Sequence, residues 1–304
     1  MKVFITGVSG YIGGSIAVRL IAAGHSVSGL VRDADKAARL SERGIEPVSG
    51  TLVDRSVLAE AAHQADAVIN TADSDNLYAA RTLLAALEGS GKCLLHTSGT
   101  SVIADRAAGE PGDHVFNEDT PFEPLPERML RVAVDRMVLA AAQRGVRSVV
   151  LRPALIYGRG SGLNPSSLQI PKLIELARQH KTGIHVGRGL NIWSNVHIDD
   201  VVDVYLRALA DAPAGTLFYV ENGEAAMKTV AQAISRLLGF GGATRDWPIE
   251  EALHALGGAA YTSYGSNSRV RSAKARKMLG WSPQHGDLVK EIEEGCYRAD
   301  VRGG

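Results

Sequence analysis

Through its first half the chain alternates short runs rich in β-branched and apolar residues with longer runs rich in alanine and leucine. The short runs predict strands near 2–6, 26–31, 45–48, 66–70, 92–97 and 147–152; the longer ones predict helices near 11–23, 33–43, 55–64, 76–89 and 127–144. Several helical runs stop at a glycine, among them Gly24, Gly44, Gly89 and Gly145, where a left-handed residue can close the last turn. Strands and helices in alternation make βαβ units, so the expected fold class is α/β, a doubly wound parallel sheet of six strands over residues 1–158.

The rhythm breaks at residues 99–126. The part from Asp105 to Pro126 is rich in Gly, Pro, Asp and Glu and has no helical period, which predicts a long loop beside the strand ends. After Tyr157-Gly158 the pattern turns to helix, loop and short strand, with a helix near 168–180 and another running to about 210. The last third mixes with the first domain less predictably.

Thr6-Gly7-Val8-Ser9-Gly10-Tyr11-Ile12-Gly13 follows the first strand and opens the first helix, the context that makes a glycine-rich turn a Rossmann dinucleotide fingerprint. Gly7 permits the tight turn, Gly10 lets the backbone approach a pyrophosphate, and Gly13 lets the helix lie against the strand. The free N–H groups of the helix start, including those of Tyr11 and Ile12, then face the phosphates. NAD binders place an acid at the end of the second strand to accept from the ribose hydroxyls. Here that position is Val31, followed by Arg32 and, one turn on, Lys36. Two cations without an acid suit a 2′-phosphate, so the expected cofactor is NADP(H), with NAD second. The other reading makes Arg32 a surface charge and Asp33 a helix N-cap.

Composition narrows the class. The hydrophobic share of 45% and charged share of 22% are ordinary globular values, and no apolar run reaches the about 18 to 20 residues of a membrane span. Lys plus Arg and Asp plus Glu number 33 each, giving no overall attraction for nucleic acid or anionic lipid. Arg269-Val270-Arg271 with Lys274, Arg276 and Lys277 is a local cationic stretch, read either as a solvated helix face or as a pocket wall facing an anionic substrate. Cys93 and Cys296 are the only cysteines, too few for a disulfide framework or a four-cysteine zinc site, and no metal is expected. The N-terminus enters a strand at once, with no room for a signal peptide, so a cytoplasmic location is expected.

Thr6-Gly7-x-x-Gly10-x-x-Gly13, Asp54 after the third strand, Leu151-Arg152-Pro153-Ala154-Leu155-Ile156-Tyr157-Gly158, Asn195-Val196-His197-Ile198-Asp199-Asp200 and Leu279-Gly280-Trp281-Ser282-Pro283 together resemble the extended short-chain dehydrogenase/reductases. These are NAD(P)-dependent epimerases, dehydratases and reductases acting on nucleotide sugars and similar carbonyl compounds. The resemblance implies that Leu52 and Asp54 lie near the adenine, that Thr71, Ala72 and Thr97 line the cofactor, and that Pro153 to Ile156, with Leu155 among them, approach the nicotinamide. It implies a smaller C-terminal substrate lobe, mainly residues 159–304 with the segments near 190–210 returning to the first domain, and a homodimer through the helices near 76–89 and 127–144. For His197, Asp199 and Asp200 a structural role in hydrogen bonding and helix capping is expected.

Family members carry a Ser or Thr after the fifth strand and a Tyr-x-x-x-Lys on the following helix, for proton transfer and for holding the ribose. Here the fifth strand ends His96-Thr97-Ser98-Gly99-Thr100-Ser101, with Gly99 on the Ser position, while Glu127 and Arg131 fall where Tyr and Lys should be. No Lys lies between Lys92 and Lys172, and the only Tyr in that interval is Tyr157. Ser98, Thr100, Arg131 and Tyr157 are therefore the catalytic candidates, with His114 and Glu127 as further acids. Three readings stay open. Another acid serves an oxidoreductase or epimerase-like enzyme on a small carbonyl, alcohol or sugar-like substrate. Water or substrate supplies the proton. Or the chain is a silent NADP(H)-binding sensor, as NmrA-like proteins are thought to be. Asn267, Arg269 and Arg271 are candidates to meet a phosphate or carboxylate of the substrate.

Overall fold

In the computed structural model, which describes residues 1–302, seven parallel strands form the central sheet. They are β1 (Lys2–Thr6), β2 (Ser26–Val31), β3 (Ile45–Ser49), β4 (Ala67–Asn70), β5 (Cys93–Thr97), β6 (Arg147–Pro153) and, beyond three strands of the second half, β10 (Thr216–Val220). Those three are β7 (Leu155–Tyr157), β8 (Gly183–Val186) and β9 (Ile192–His197); β11 (Glu224–Ala226) and β12 (Thr244–Trp247) follow. The order β10-β6-β5-β4-β1-β2-β3 reverses direction between β1 and β4, and ligands of such sheets sit at that switch point, outside the carboxyl ends of the strands.

The seventh strand corrects the expected six. Thr216-Leu217-Phe218-Tyr219-Val220 pairs with Val149 to Pro153 of β6, so the sheet is completed from the second half of the chain. Register brings the carboxyl ends level. Thr6 pairs with Asn70, Asn70 with His96, and Thr97 with Leu151. Gly7, Thr71, Ser98 and Ala154 thus leave the sheet at one edge.

Alternation along the strands sends side chains to two faces. On one, Val3, Ile5, Ile69, Leu95 and Leu151 pack with Ile16 and Leu20 of α1 (Tyr11–Ala22) and Val201, Tyr205 and Ala208 of a later helix, Ile198–Asp211. On the other, Phe4, Val68, Leu94 and Val150 meet α3 (Arg55–Gln64), α4 (Leu77–Leu87) and α5 (Met129–Ala140) through Leu58, Leu83, Leu84, Val134 and Val138. The short α2 (Ala34–Ser41) lies between β2 and β3. After it in the chain come α6 (Gln169–His180), α7, which is the Ile198–Asp211 helix just named, and α8 (Met227–Leu237). Fully burying one such Leu, Ile or Phe contributes roughly 1.5 to 3 kcal/mol.

A separate core gathers Leu155 and Tyr157 of β7, Ile170, Leu173 and Ile174 of α6, Ile184 and Val186 of β8, Trp193 of β9, Val230 and Ile234 of α8, and Trp247 of β12. The last residues of the expected substrate lobe, 303 and 304, lie outside the described residues. Across residues 99–126 the chain is loop apart from a 3-10 turn at Thr100–Ile103, a bridge of Phe116 to Val270 and the first residue of a second 3-10 turn, Pro126–Arg128, that leads into α5. Among the described residues no helix is long and apolar enough to cross a membrane.

Candidate active site

Two clefts open along the carboxyl edge of the sheet and share Gly7, Gly10, Thr71 and Ala72, so they form one groove. The outer part, about 490 Å³, is lined by Leu30, Arg32, Lys36, Thr51 and Leu52 among others. The inner part, about 520 Å³, is lined by Tyr11, Ile12, Gly13, Ser98, Thr100, Arg131, Pro153 and Ile156 among others.

The glycines at the junction fit a pyrophosphate. Gly7 has φ +75°, which L side chains rarely adopt, and a Cβ there would lie 2.8 Å from Thr71 Oγ1 and 2.9 Å from the Ala72 backbone. A Cβ on Gly13 would collide with the Gly7 carbonyl oxygen and Thr71 Oγ1. The first α1 bond runs from Gly14 N to Gly10 O (2.9 Å), which leaves the Tyr11, Ile12 and Gly13 amides without a helical acceptor at a positive helix end. These residues fit a dinucleotide. Tyr11 is held across the groove by its hydroxyl, 2.8 Å from the Gly158 carbonyl and 3.0 Å from that of Tyr157. Burial pushes its pKa far up, so it stays a neutral donor.

At the outer end, Asp33 is the N-cap of α2 and accepts from Lys36 N at 2.8 Å. Arg32 and Lys36 both line the groove. Asp54 does not line it. Its carboxylate accepts from Thr51 N (2.6 Å) and Thr51 Oγ1 (2.8 Å), shaping the turn that carries Leu52 to the outer cleft.

The inner end is built by three elements. Ser98 leaves β5 and donates to Asp135 on α5 at 2.8 Å. Asp135 is completely buried and also takes Arg152 Nε (2.9 Å) and Nη2 (2.8 Å). Its second oxygen lies 3.8 Å from His96 Nε2, whose Nδ1 is 3.0 Å from Asn70 Nδ2. Burial lowers the His96 pKa despite the nearby Asp135, so the imidazole is neutral. The sequence analysis did not single out Asp135, and it met Arg152 only as part of the Leu151–Gly158 motif.

Arg131 reaches the groove from the first turn of α5. Asp75 holds it in a fork, with Nε to Oδ1 at 3.0 Å and Nη2 to Oδ2 at 2.7 Å, and Nη1 donates to Ser101 Oγ at 3.1 Å. A Cβ placed on Gly99 would lie 3.8 Å from Arg131 Nη1. The guanidinium therefore faces the position at which the family's Ser side chain would begin. Thr100 is buried, lines the groove, and its hydroxyl has no hydrogen-bond partner among the described residues.

Other candidates lie elsewhere. Tyr157 is a correction: it is 1% exposed in the second core, donates to the His285 carbonyl (3.2 Å), and does not line the groove. Leu155 is another, for the same reason. Alternation on β7 turns Ile156 to the groove and Leu155 and Tyr157 away. The Thr97 side chain is tied 2.6 Å from Tyr205 Oη, beneath the groove floor rather than in it. Glu127 is exposed and paired with Arg106, and exposed His114 stands beside Phe116, 5.4 Å between ring centroids.

The arginines of the cationic stretch are spent on structure. Glu224 takes Arg269 (2.7 Å) and Arg271 (3.0 Å). Arg276 bonds Ser272 Oγ and Asn222 Oδ1 and covers the Trp281 ring. Asn267 is consumed by Asp105, Gly112 N and Ile192 N. Asp200 accepts from Gln284 N and His285 N, and His197 Nδ1 caps α7 by accepting from Asp199 N. Ligand-type atoms of His197, Asp199 and His285 come within 4.8 Å of one another, but this capping bond occupies the His197 Nδ1 lone pair.

Fold and groove define a dinucleotide-binding α/β protein of the short-chain dehydrogenase type. The NAD dependent epimerase/dehydratase family matches residues 3–220, and the chain belongs to that family. It is 32% identical over 338 residues to oxidase ucsJ of an Acremonium species, covering 96% of this chain and 95% of that protein. It is 29% identical over 242 residues to a 4-hydroxy-2-methyl-3-oxo-4-farnesyl-3,4-dihydroquinoline-1-oxide ketoreductase of Stigmatella aurantiaca, covering 73% and 69%. Among solved structures, dTDP-glucose 4,6-dehydratase from Bacillus anthracis in complex with NAD superposes with a TM-score of 0.79 at 18% identity, covering 100% and 97%. That likeness is one of fold.

Proposed function

We propose that this chain is a cytoplasmic NADP(H)-dependent oxidoreductase of a small carbonyl or alcohol substrate, in which Arg131 does the work usually given to Tyr and Lys. The observation that carries it is the Arg131 guanidinium, fixed by Asp75 and Ser101 at the inner end of a groove whose outer end presents Arg32 and Lys36. When bound, a nicotinamide supplies or accepts a hydride. Gly7, Gly10 and the α1 amides hold the pyrophosphate, and Arg32 with Lys36 attract a 2′-phosphate. Arg131 Nη1 and the unpartnered Thr100 hydroxyl polarise the substrate oxygen in place of the missing Tyr. A guanidinium donates hydrogen bonds and not protons, so the proton on the new alcohol comes from solvent through the Thr100 hydroxyl, which gives its own proton and takes one from water.

A silent sensor is favoured by one observation: Asp75 neutralises much of the Arg131 charge. A second copy of the chain fits the exposed apolar residues Leu77 and Tyr78 of α4 and Met129 and Leu130 of α5, which completes the reading as a homodimer.

The test is a fluorescence titration of wild type and Arg32→Ala with NADPH and NADH, followed by NADPH oxidation over a panel of aldehydes, ketones and quinones. The variant should lose about tenfold or more for NADPH and little for NADH. Turnover should vanish in Arg131→Ala. Equal weakening for both cofactors overturns the NADP assignment. Tight binding without turnover on any panel member establishes the sensor.

A further inference from the structure

One cation at the groove is left over. Arg128, at the turn that leads into α5, lines the inner cleft three residues before Arg131. Its Nη2 donates to Thr262 Oγ1 at 2.7 Å. Its Nε is buried from solvent and has no hydrogen-bond partner among the described residues. Unlike Arg131 with Asp75, Arg106 with Glu127, or Arg152 with Asp135, it is in no ion pair among the described residues. Thr262 takes only one of the guanidinium N–H groups, so Arg128 keeps donors for an anion in the cleft.

The surroundings say what else the ligand carries. Trp193, Ala259 and Tyr264 line the same cleft, and so does Leu168, which is 84% exposed. This apolar stretch of cleft wall favours an apolar body on the ligand. By contrast, the cations expected to meet a substrate anion, Arg269 and Arg271, are bound to Glu224.

We infer that Arg128 is an anion-binding residue of the substrate site, and that the substrate is an oxo acid: a carbonyl compound with a carboxylate for the Arg128 fork and an apolar carbon skeleton for Leu168, Trp193 and Tyr264. The inference deepens the oxidoreductase reading and rests on it for the position of the reacting carbonyl. Arg131 and Arg128 then divide the labour, one on the carbonyl oxygen and one on the carboxylate. Burial and the neighbouring Arg131 lower the Arg128 pKa, the direction expected of a cation waiting for its counter-ion. An Arg suits this task because its planar fork can give a carboxylate two parallel N–H bonds.

Calorimetric titration with 3-oxododecanoate and with its methyl ester, on wild type, Arg128→Met and Arg128→Lys, tests it. Each protein is titrated with NADP⁺ present and again without it, and NADP⁺ binding is measured separately. Wild type should bind the acid about tenfold or more tighter than the ester. Arg128→Met should erase that difference and leave the ester unchanged, and Arg128→Lys should keep part of it. Equal affinities in wild type, equal weakening of acid and ester in Arg128→Met, or no binding of either up to about 10 mM each overturn the proposal. Failure to bind NADP⁺ while the acid preference persists would instead remove the oxidoreductase reading and leave Arg128 as an anion site.

Discussion

Asp135→Ala is the substitution whose cost follows most directly from geometry. The carboxylate is fully buried and takes Arg152 through two bonds and Ser98 through a third, while Arg152 is itself 5% exposed. Removing it strands the guanidinium among Tyr219 and Phe122, whose rings lie 5.6 and 5.4 Å away. Those faces and the Tyr219 hydroxyl cannot replace a counter-ion. Breaking one side of a buried pair costs about 3 to 5 kcal/mol. With about 2.1 cal/mol/K of unfolding entropy per residue, a 304-residue chain turns that into a melting point lower by about 5 to 8 °C. Scanning calorimetry reads the shift. The double variant Asp135→Ala/Arg152→Met, which buries no lone charge, should regain at least half of the loss. A single variant melting within about 1 °C of wild type, or a double variant melting no higher than the single, would refute the reasoning.

Two further outcomes can be checked on the same protein. Gly13→Ala should weaken NADPH binding about tenfold or more, because the new methyl group meets the Gly7 carbonyl and Thr71 Oγ1 and lifts α1 from the phosphate turn; wild-type affinity in the titration would contradict this. Stability should fall as pH drops below the ordinary histidine value of about 6.5. Burial lowers the pKa of His96 and of His185, so between the unfolded and folded values the unfolded chain binds more protons and gains on acidification. For His96 the slope is up to about 1.4 kcal/mol per pH unit. Urea midpoints at pH 7.5 and 5.5 measure it, His96→Gln should flatten the slope, and a midpoint that holds or rises on acidification would count against it.

What the sequence disclosed depended on how local each signal was. β1 to β6 and the glycine turn could be read because strand, turn and helix lie within one βαβ unit. β10 could not: Thr216–Val220 has strand composition, but its place beside β6 is set by pairing with residues some 67 positions back. Arg131 was found by its offset from the family's Lys, whereas its fork with Asp75 joins α5 to the loop after β4 across 56 positions. Tyr157 was misjudged because residue type was weighed without strand alternation; the neighbour that faces the groove is Ile156. Arg128 was passed over because nothing local marks one arginine as unpaired.

The return of β10 also has a consequence in time. On the ribosome, β6 is finished when Pro153 emerges, but its outer neighbour is complete only at Val220. At about 5 to 20 residues per second the intervening 67 residues take roughly 3 to 13 s. Throughout that interval Val149, Val150 and Leu151 form the unpaired margin of a nascent sheet, an open template for any other extended chain. Synthesis of this protein therefore passes through a sticky intermediate of defined length. Codon choice or chaperone supply across residues 154–220 should govern how much of it reaches the native state.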